Sequence, residues 1–158
     1  MSNATIYDKL IFLDIDGVLN MYGASYRTFM KPYGQHIEPT LVSRLNYLFT
    51  QLPNLAIVVS SSWRSNMPDL EKQMTEQGFL HWDKVIGKTD HIDWIRGNEI
   101  LTWITTNNYI GKYCVLDDES TDIHGEKFDK VPLENCVFTD GDDGLLHSDV
   151  KKIIKILQ

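Results

Sequence analysis

The sequence is poor in cysteine, has no long apolar run and carries no excess of positive charge, and each lack removes a class of protein. Cys114 and Cys136 are the only two cysteines. Each lies in a short apolar run, outside any CxxC or Cys/His spacing, so neither a disulfide framework nor a zinc site is expected and both thiols are read as buried and reduced. His36, His81, His91, His124 and His147 share no metal-ligand spacing either. No apolar stretch approaches the roughly 20 residues of a membrane span. The opening MSNATIYDKL lacks the basic start and apolar run of a secretory signal, and cytoplasm is the expected compartment. The net charge is −7, and residues 117–149 hold eleven acids against Lys127 and Lys130. Such a chain has no broad basic surface to neutralise phosphates, so any anionic substrate has to be caught locally.

What is present is an alternation of two kinds of segment. Lys9 to Leu13 (KLIFL), Leu55 to Val59 (LAIVV), Tyr113 to Leu116 (YCVL) and, more weakly, Cys136 to Phe138 are short apolar runs of the kind a buried strand shows. Each stops at a polar cluster beginning Asp14, Ser60, Asp117 or Thr139. Val85 and Ile86 suggest a further short strand. Between the runs come helical spacings: Leu41, Leu45, Leu48 and Leu52 after Pro39; Leu70 and Met74 after Pro68; Ile100, Trp103 and Ile104 after Gly97; and Val150, Ile153, Ile154 and Leu157. Gly78 and Gly111 are expected to close the second and third helices. Strands alternating with helices predict an α/β fold, a mostly parallel sheet with helices on both faces, whose ligands bind at the carboxyl ends of the strands. At 158 residues the chain is the size of a single domain, 1–158. Residues 20–38, with Gly23, Pro32, Gly34 and the aromatics Tyr22, Tyr26, Phe29 and Tyr33, are irregular and read as a flap-like insertion beside the first polar cluster.

The polar clusters carry the chemistry. Asp14-Ile15-Asp16-Gly17-Val18-Leu19 puts two carboxylates at i and i+2 on a strand end. A carboxylate can attack phosphorus and divide hydrolysis into two easier displacements, provided that a cation offsets the crowding of anions and a second group handles the proton. Ser60, Ser61 and Ser62 follow the second strand. A serine triplet alone is more often a loop or helix cap than a phosphate site, and three serines in a row leave the register open. Arg64 has the planar fork that clamps an anion with two parallel hydrogen bonds, with packing of its stem on Trp63 as the plain alternative. Arg96 opens the third helix, and Lys88 lies in GKTD. Asp117 and Asp118 end the strand YCVL and offer the hard oxygen ligands that magnesium prefers.

Taken together, LDIDGVLN, SSSWR, the base near RGNEI and VLDDES resemble, in order, the four motifs of the haloacid dehalogenase (HAD) superfamily, over about residues 9–145. The resemblance implies a Rossmann-like domain with Asp14 as nucleophile and Asp16 as general acid and base. Ser60 or Ser61 would bind the phosphoryl oxygens, with Arg96, or else Lys88, as the neutralising base. Mg²⁺ would be held by Asp14, the Asp16 carbonyl and the pair Asp117 and Asp118, Asp118 ligating directly and Asp117 close behind or bridging to Arg96. The strings VVSSSWR, RGNEI, VLDDES and FTDGDDGLL look most like the HAD domains of Swiss-army-knife RNA repair proteins. The serine-x-arginine spacing is similar to that of polynucleotide phosphatases.

The spans from Asp16 to Ser60 and from Arg64 to Arg96 leave no room for an independent cap domain, and an open cleft admits a polymer end or a bulky nucleotide. The expected activity is Mg-dependent hydrolysis of a phosphomonoester, with a nucleic-acid 3′-phosphate as the first candidate. The alternatives are a nucleotide or small phosphorylated metabolite as substrate, and an inactive HAD-like binding module. Docking of a polynucleotide would fall to Arg27, Lys31, Arg64, Lys88 and Arg96, with flap aromatics stacking bases.

Overall fold

The computed structural model describes residues 7–22, 36–121, 123 and 131–158. The chain runs β1 (Lys9–Leu13), α1 (Pro39–Gln51), β2 (Leu55–Val59), α2 (Met67–Glu76), β3 (Val85–Lys88), α3 (Arg96–Thr106), β4 (Lys112–Asp117), β5 (Cys136–Phe138) and α4 (His147–Leu157). A 3-10 turn, Ser62–Asn66, leads into α2. The five strands form one sheet in the order β3-β2-β1-β4-β5, and every pairing is parallel.

The continuous apolar character of β1 and β2 follows from burial on both faces. Ile11, Leu13, Ile57, Val59, Cys114 and Leu116 point to one side, where Leu41, Leu45 and Leu48 of α1, Leu70 and Met74 of α2, and Val150, Ile153 and Leu157 of α4 cover them. Leu10, Phe12, Ala56, Val58 and Val115 point to the other and meet Ile100 of α3 together with Tyr109. The helical spacings therefore mark the faces that close the core, each fully buried leucine or isoleucine contributing about 1.5–3 kcal/mol of transfer free energy. Among the described residues no helix is long and apolar enough to cross a membrane.

Three local details depart from the sequence reading. Gly97 lies inside α3, which begins at Arg96. The turn after α3 uses Asn108, at φ 50°, as its left-handed residue, a conformation asparagine tolerates. Gly111 is needed instead because any Cβ there would run into the Tyr109 hydroxyl and the Asp8 carbonyl. Cys114 is buried but Cys136 only partly so. The expected flap falls largely outside the described residues, as do Arg27, Lys31 and His124.

Candidate active site

Register brings the polar clusters together. Leu13 is paired with Val59 on one side and Leu116 on the other, so the residues that follow, Asp14, Ser60 and Asp117, stand side by side on the carboxyl edge. Backbone hydrogen bonds continue one step past the strands, from Asp14 N–H to the Leu116 carbonyl (3.0 Å), Ser60 N–H to Leu13 (2.8 Å), Thr89 N–H to Val59 (2.9 Å) and Thr139 N–H to Asp117 (2.9 Å). The loops after all five parallel strands thus leave the sheet from one line.

Asp14, Asp117 and Asp118 each offer a carboxylate oxygen within 4.8 Å of the others. Arg96 Nη1 donates to Asp117 Oδ2 at 2.8 Å and lies 3.4 Å from Asp14 Oδ2. Burial, and after it the charge of Asp117, pushes the Asp14 carboxyl well above the usual carboxylate range against the pull of Arg96. Burial also lifts Asp117 to about 6, despite Arg96 and the Glu119 N–H. Burial works against charge on Arg96, but Asp117 and Asp14 outweigh it and hold the guanidinium firmly protonated. The Tyr22 hydroxyl is raised by burial and then by the charges of Asp16 and Asp118. One arginine does not neutralise three clustered carboxylates, and a hard-oxygen set of this kind suits a small divalent cation. The residues present therefore fit Mg²⁺, and Asp14, Asp117 and Asp118 could hold it.

The turn after Asp14 depends on Gly17. Its φ is 80°, and a Cβ there would collide with the Asp118 carboxylate, so the glycine is required both by the backbone and by the approach of the second acid pair. The buried Asn20 side chain accepts from Gly17 N–H at 2.8 Å and donates to Asp16 Oδ1 at 2.8 Å. Trp63 Nε1 donates to the same oxygen at 3.0 Å. Both donors hold Oδ1, and among the described residues no hydrogen bond reaches Oδ2 of Asp16. From the far side Thr139 Oγ1 donates to the Gly17 carbonyl at 2.7 Å, and Tyr22 N–H donates to the Gly141 carbonyl at 2.9 Å. The loop after β5 is therefore a brace for the first one.

Ser60 and Ser61 are buried. Ser61 Oγ accepts from Trp63 N–H and caps the 3-10 turn. Ser60 Oγ is buried and has no partner among the described residues, an uncommon state for a hydroxyl in a folded protein and one that a ligand oxygen would relieve. Arg64 is engaged elsewhere: Nη1 and Nη2 donate to Oε1 and Oε2 of Glu99, both at 3.1 Å, and Nη1 also reaches Thr89 Oγ1 at 2.9 Å. Lys88 Nζ donates to the Arg64 carbonyl at 3.0 Å. The sequence reading passed over Glu99, Asn20 and the indole N–H of Trp63. A signal for Glu99 existed, since Arg96, Glu99 and Ile100 share one helical face and Ile100 is core.

Arg64, Lys88, Arg96, His91, Trp94 and Glu99 are among the residues lining a cavity of about 480 Å³ that opens beside the acid cluster. A second, of about 280 Å³, is lined by Asp16, Trp63, Asp69 and Gln73 among others. The two share Ser62 and Ser65 and flank the 3-10 turn.

Comparison with curated proteins and with solved structures returned no match. A family described as the HAD domain in Swiss Army Knife RNA repair proteins matches residues 10–150, a span that holds every strand end described above. On this match, the chain belongs to the haloacid dehalogenase family of phosphatase-type hydrolases.

Proposed function

We propose that this protein is a magnesium-dependent phosphomonoester hydrolase that works through a phosphorylated Asp14, and that its substrate is the 3′-phosphorylated end of a nucleic acid. The observation that carries the chemistry is the buried Asp14 within 4.8 Å of Asp117 and Asp118, with Arg96 reaching both Asp14 and Asp117. Bound to this acid set, Mg²⁺ would supply the positive charge that lets an anionic nucleophile and a phosphoryl group approach each other.

The protein's own groups account for the remaining steps. An Asp14 carboxylate oxygen attacks phosphorus, and the bond from phosphorus to the leaving oxygen breaks. Asp16, held through Oδ1 by Asn20 and Trp63, gives that oxygen a proton from Oδ2. Ser60 Oγ, which has no partner among the described residues, donates to a phosphoryl oxygen, and Arg96 balances the gathered charge. Asp16, now a carboxylate, takes a proton from water. The resulting attack on phosphorus frees inorganic phosphate and restores Asp14.

The nucleic-acid end is supported by the family's RNA repair description and by Lys88, which lines the cavity beside the acids. A net charge of −7 favours a second substrate, a free nucleotide or small phosphorylated metabolite. Release of phosphate from p-nitrophenyl phosphate with Mg²⁺ tests the chemistry, and undiminished turnover by Asp14→Asn would refute it. A panel of 3′- and 5′-phosphorylated oligonucleotides and free nucleotides tests the substrate. Turnover of free nucleotides alone would discard the repair reading.

A further inference from the structure

The loop between β3 and α3 holds an aromatic in an unusual setting. Trp94 is 81% exposed and sits at φ 64°, a left-handed conformation that bulky side chains rarely adopt, and such outliers cluster at ligand-contacting positions. A tryptophan this exposed gains little from burial, so packing does not account for the strain. His91 meets its ring edge-on, with centroids 4.0 Å apart and planes at 83°. That contact fixes the plane of the indole while leaving most of its surface open.

The support beneath the indole runs back to a buried carboxylate. Arg64 Nη2 lies 2.9 Å from His91 Nδ1, which ties the imidazole to the guanidinium. Arg64 is itself forked onto Glu99, whose side chain is 3% exposed, and Glu99 Oε2 accepts from Ile92 N–H at 2.9 Å. Asp93 adds two bonds, from Ile95 N–H at 3.0 Å and Asn98 Nδ2 at 2.9 Å. Glu99 and Arg64 are thus absorbed in holding the loop, and the product of that investment is an exposed, oriented indole on the rim of the 480 Å³ cavity. Among the described residues no carboxylate lies within ion-pair distance of Lys88 on the same rim. The cavity on the other side of the 3-10 turn has Asp16 and Asp69 in its lining and, among the described residues, no lysine or arginine.

We propose that Trp94, held by His91, Arg64 and Glu99, is the stacking platform for the nucleobase of the nucleotide that carries the scissile phosphate. The proposal rests on the phosphohydrolase reading above and adds to it the residue that distinguishes a base-bearing substrate from a bare phosphomonoester. Every base has a π-face, so the platform selects nucleotides without selecting sequence. The shared chemistry is a nucleoside monophosphate unit, whether free or at the end of a chain.

The test compares a 3′-phosphorylated oligonucleotide ending in a normal base with the same chain ending in a tetrahydrofuran abasic residue, alongside a free nucleoside 3′-monophosphate. Wild type should prefer the base-bearing chain. Trp94→Ala should cut that preference in kcat/KM by about tenfold and Trp94→Phe should restore much of it, as expected for base stacking on an aromatic ring. A preference confined to the oligonucleotide identifies a chain end as the source, and turnover of the mononucleotide with it identifies the nucleotide unit itself. Equal use of both chains by wild type, or an equal fall on both in Trp94→Ala, overturns the proposal. Should no phosphate be released from any substrate, including p-nitrophenyl phosphate, the hydrolase reading has failed on its own. Quenching of tryptophan fluorescence by the mononucleotide, not by inorganic phosphate, and its loss in Trp94→Ala then decide the platform separately.

Discussion

The acid cluster should be a burden on the folded protein that magnesium lifts, and this can be measured without a substrate. Three carboxylate oxygens lie within 4.8 Å of one another; at an effective dielectric of about 20, two unit charges that close repel by roughly 3 kcal/mol. Arg96 cancels part of this for Asp14 and Asp117, and Asp118 is partly exposed, so we take about 1–2 kcal/mol as the gain from neutralising Asp118. Asp118→Asn should therefore raise the Tm of the metal-free protein by about 3–6 °C for a chain of this size. The same variant should lose most of its response to Mg²⁺. In wild type, Mg²⁺ at a hundred times its Kd stabilises by about 2.7 kcal/mol, roughly 8 °C. The response should depend on pH. Asp117 has its carboxyl raised from 3.8 to about 6 in the folded state, so the folded protein binds the extra proton. Its contribution, roughly 3 kcal/mol at most, is complete below about pH 4 and is lost as pH rises through 6. Mg²⁺ competes with that proton, and the gap in Tm between MgCl₂ and EDTA should widen from pH 5 to pH 8. Scanning calorimetry of both proteins in both buffers gives the answer. A destabilised Asp118→Asn that still responds fully to Mg²⁺, or a gap of equal size at both pH values, would refute the reasoning.

Three further substitutions separate the supporting roles. Glu99→Ala strands Arg64 and removes the acceptor of Ile92 N–H; breaking a buried pair of this kind costs about 3–5 kcal/mol, to be read as a fall in Tm and as protease sensitivity within residues 89–95. Trp63→Phe keeps the ring and removes one of two donors to Asp16 Oδ1, so kcat on p-nitrophenyl phosphate should fall about tenfold with KM nearly unchanged; a change in KM alone would assign Trp63 to binding instead. Gly17→Ala forces a Cβ into Asp118 at a left-handed φ, costing roughly 2–4 kcal/mol and abolishing the Mg²⁺ shift in Tm. A Gly17→Ala protein with wild-type Mg²⁺ response would mean that the approach of Asp118 to Gly17 does not shape the acid cluster.

The strands and the acid positions were legible because one constraint fixes both. A strand buried on two faces reads as an unbroken apolar run, and the first polar residue after it marks where the sheet meets solvent, as at Asp14, Ser60 and Asp117. Parallel register then aligns those residues without further information. The same logic could not reach the groups that aim these side chains. Glu99 meets Arg64 across 35 positions of sequence, and Trp63 meets Asp16 across 47. Such pairings depend on how a helix and a loop come to rest over the sheet, and no local spacing encodes that. For Trp94 the sequence offers two readings, a place at the border of the cleft and core packing, and it does not choose between them, since a left-handed backbone at a tryptophan has no sequence signature.

The distribution of charge follows from these pairings. Arg96 is matched to Asp117, and Arg64 to Glu99, so two of the three cations around the cavity are neutralised by the protein itself. Neither can act as a strong free anion trap; each fixes an acid or a loop in place. An acidic protein can then bind a phosphorylated substrate only if its affinity is concentrated in a few places. The acid cluster with its cation would take the phosphoryl group, Lys88 would meet any neighbouring negative charge, and an aromatic surface such as Trp94 would add affinity independent of charge. Recognition by stacking suits a chain whose net charge of −7 otherwise repels nucleic acid, because the π-face of a base is attracted without neutralising a phosphate.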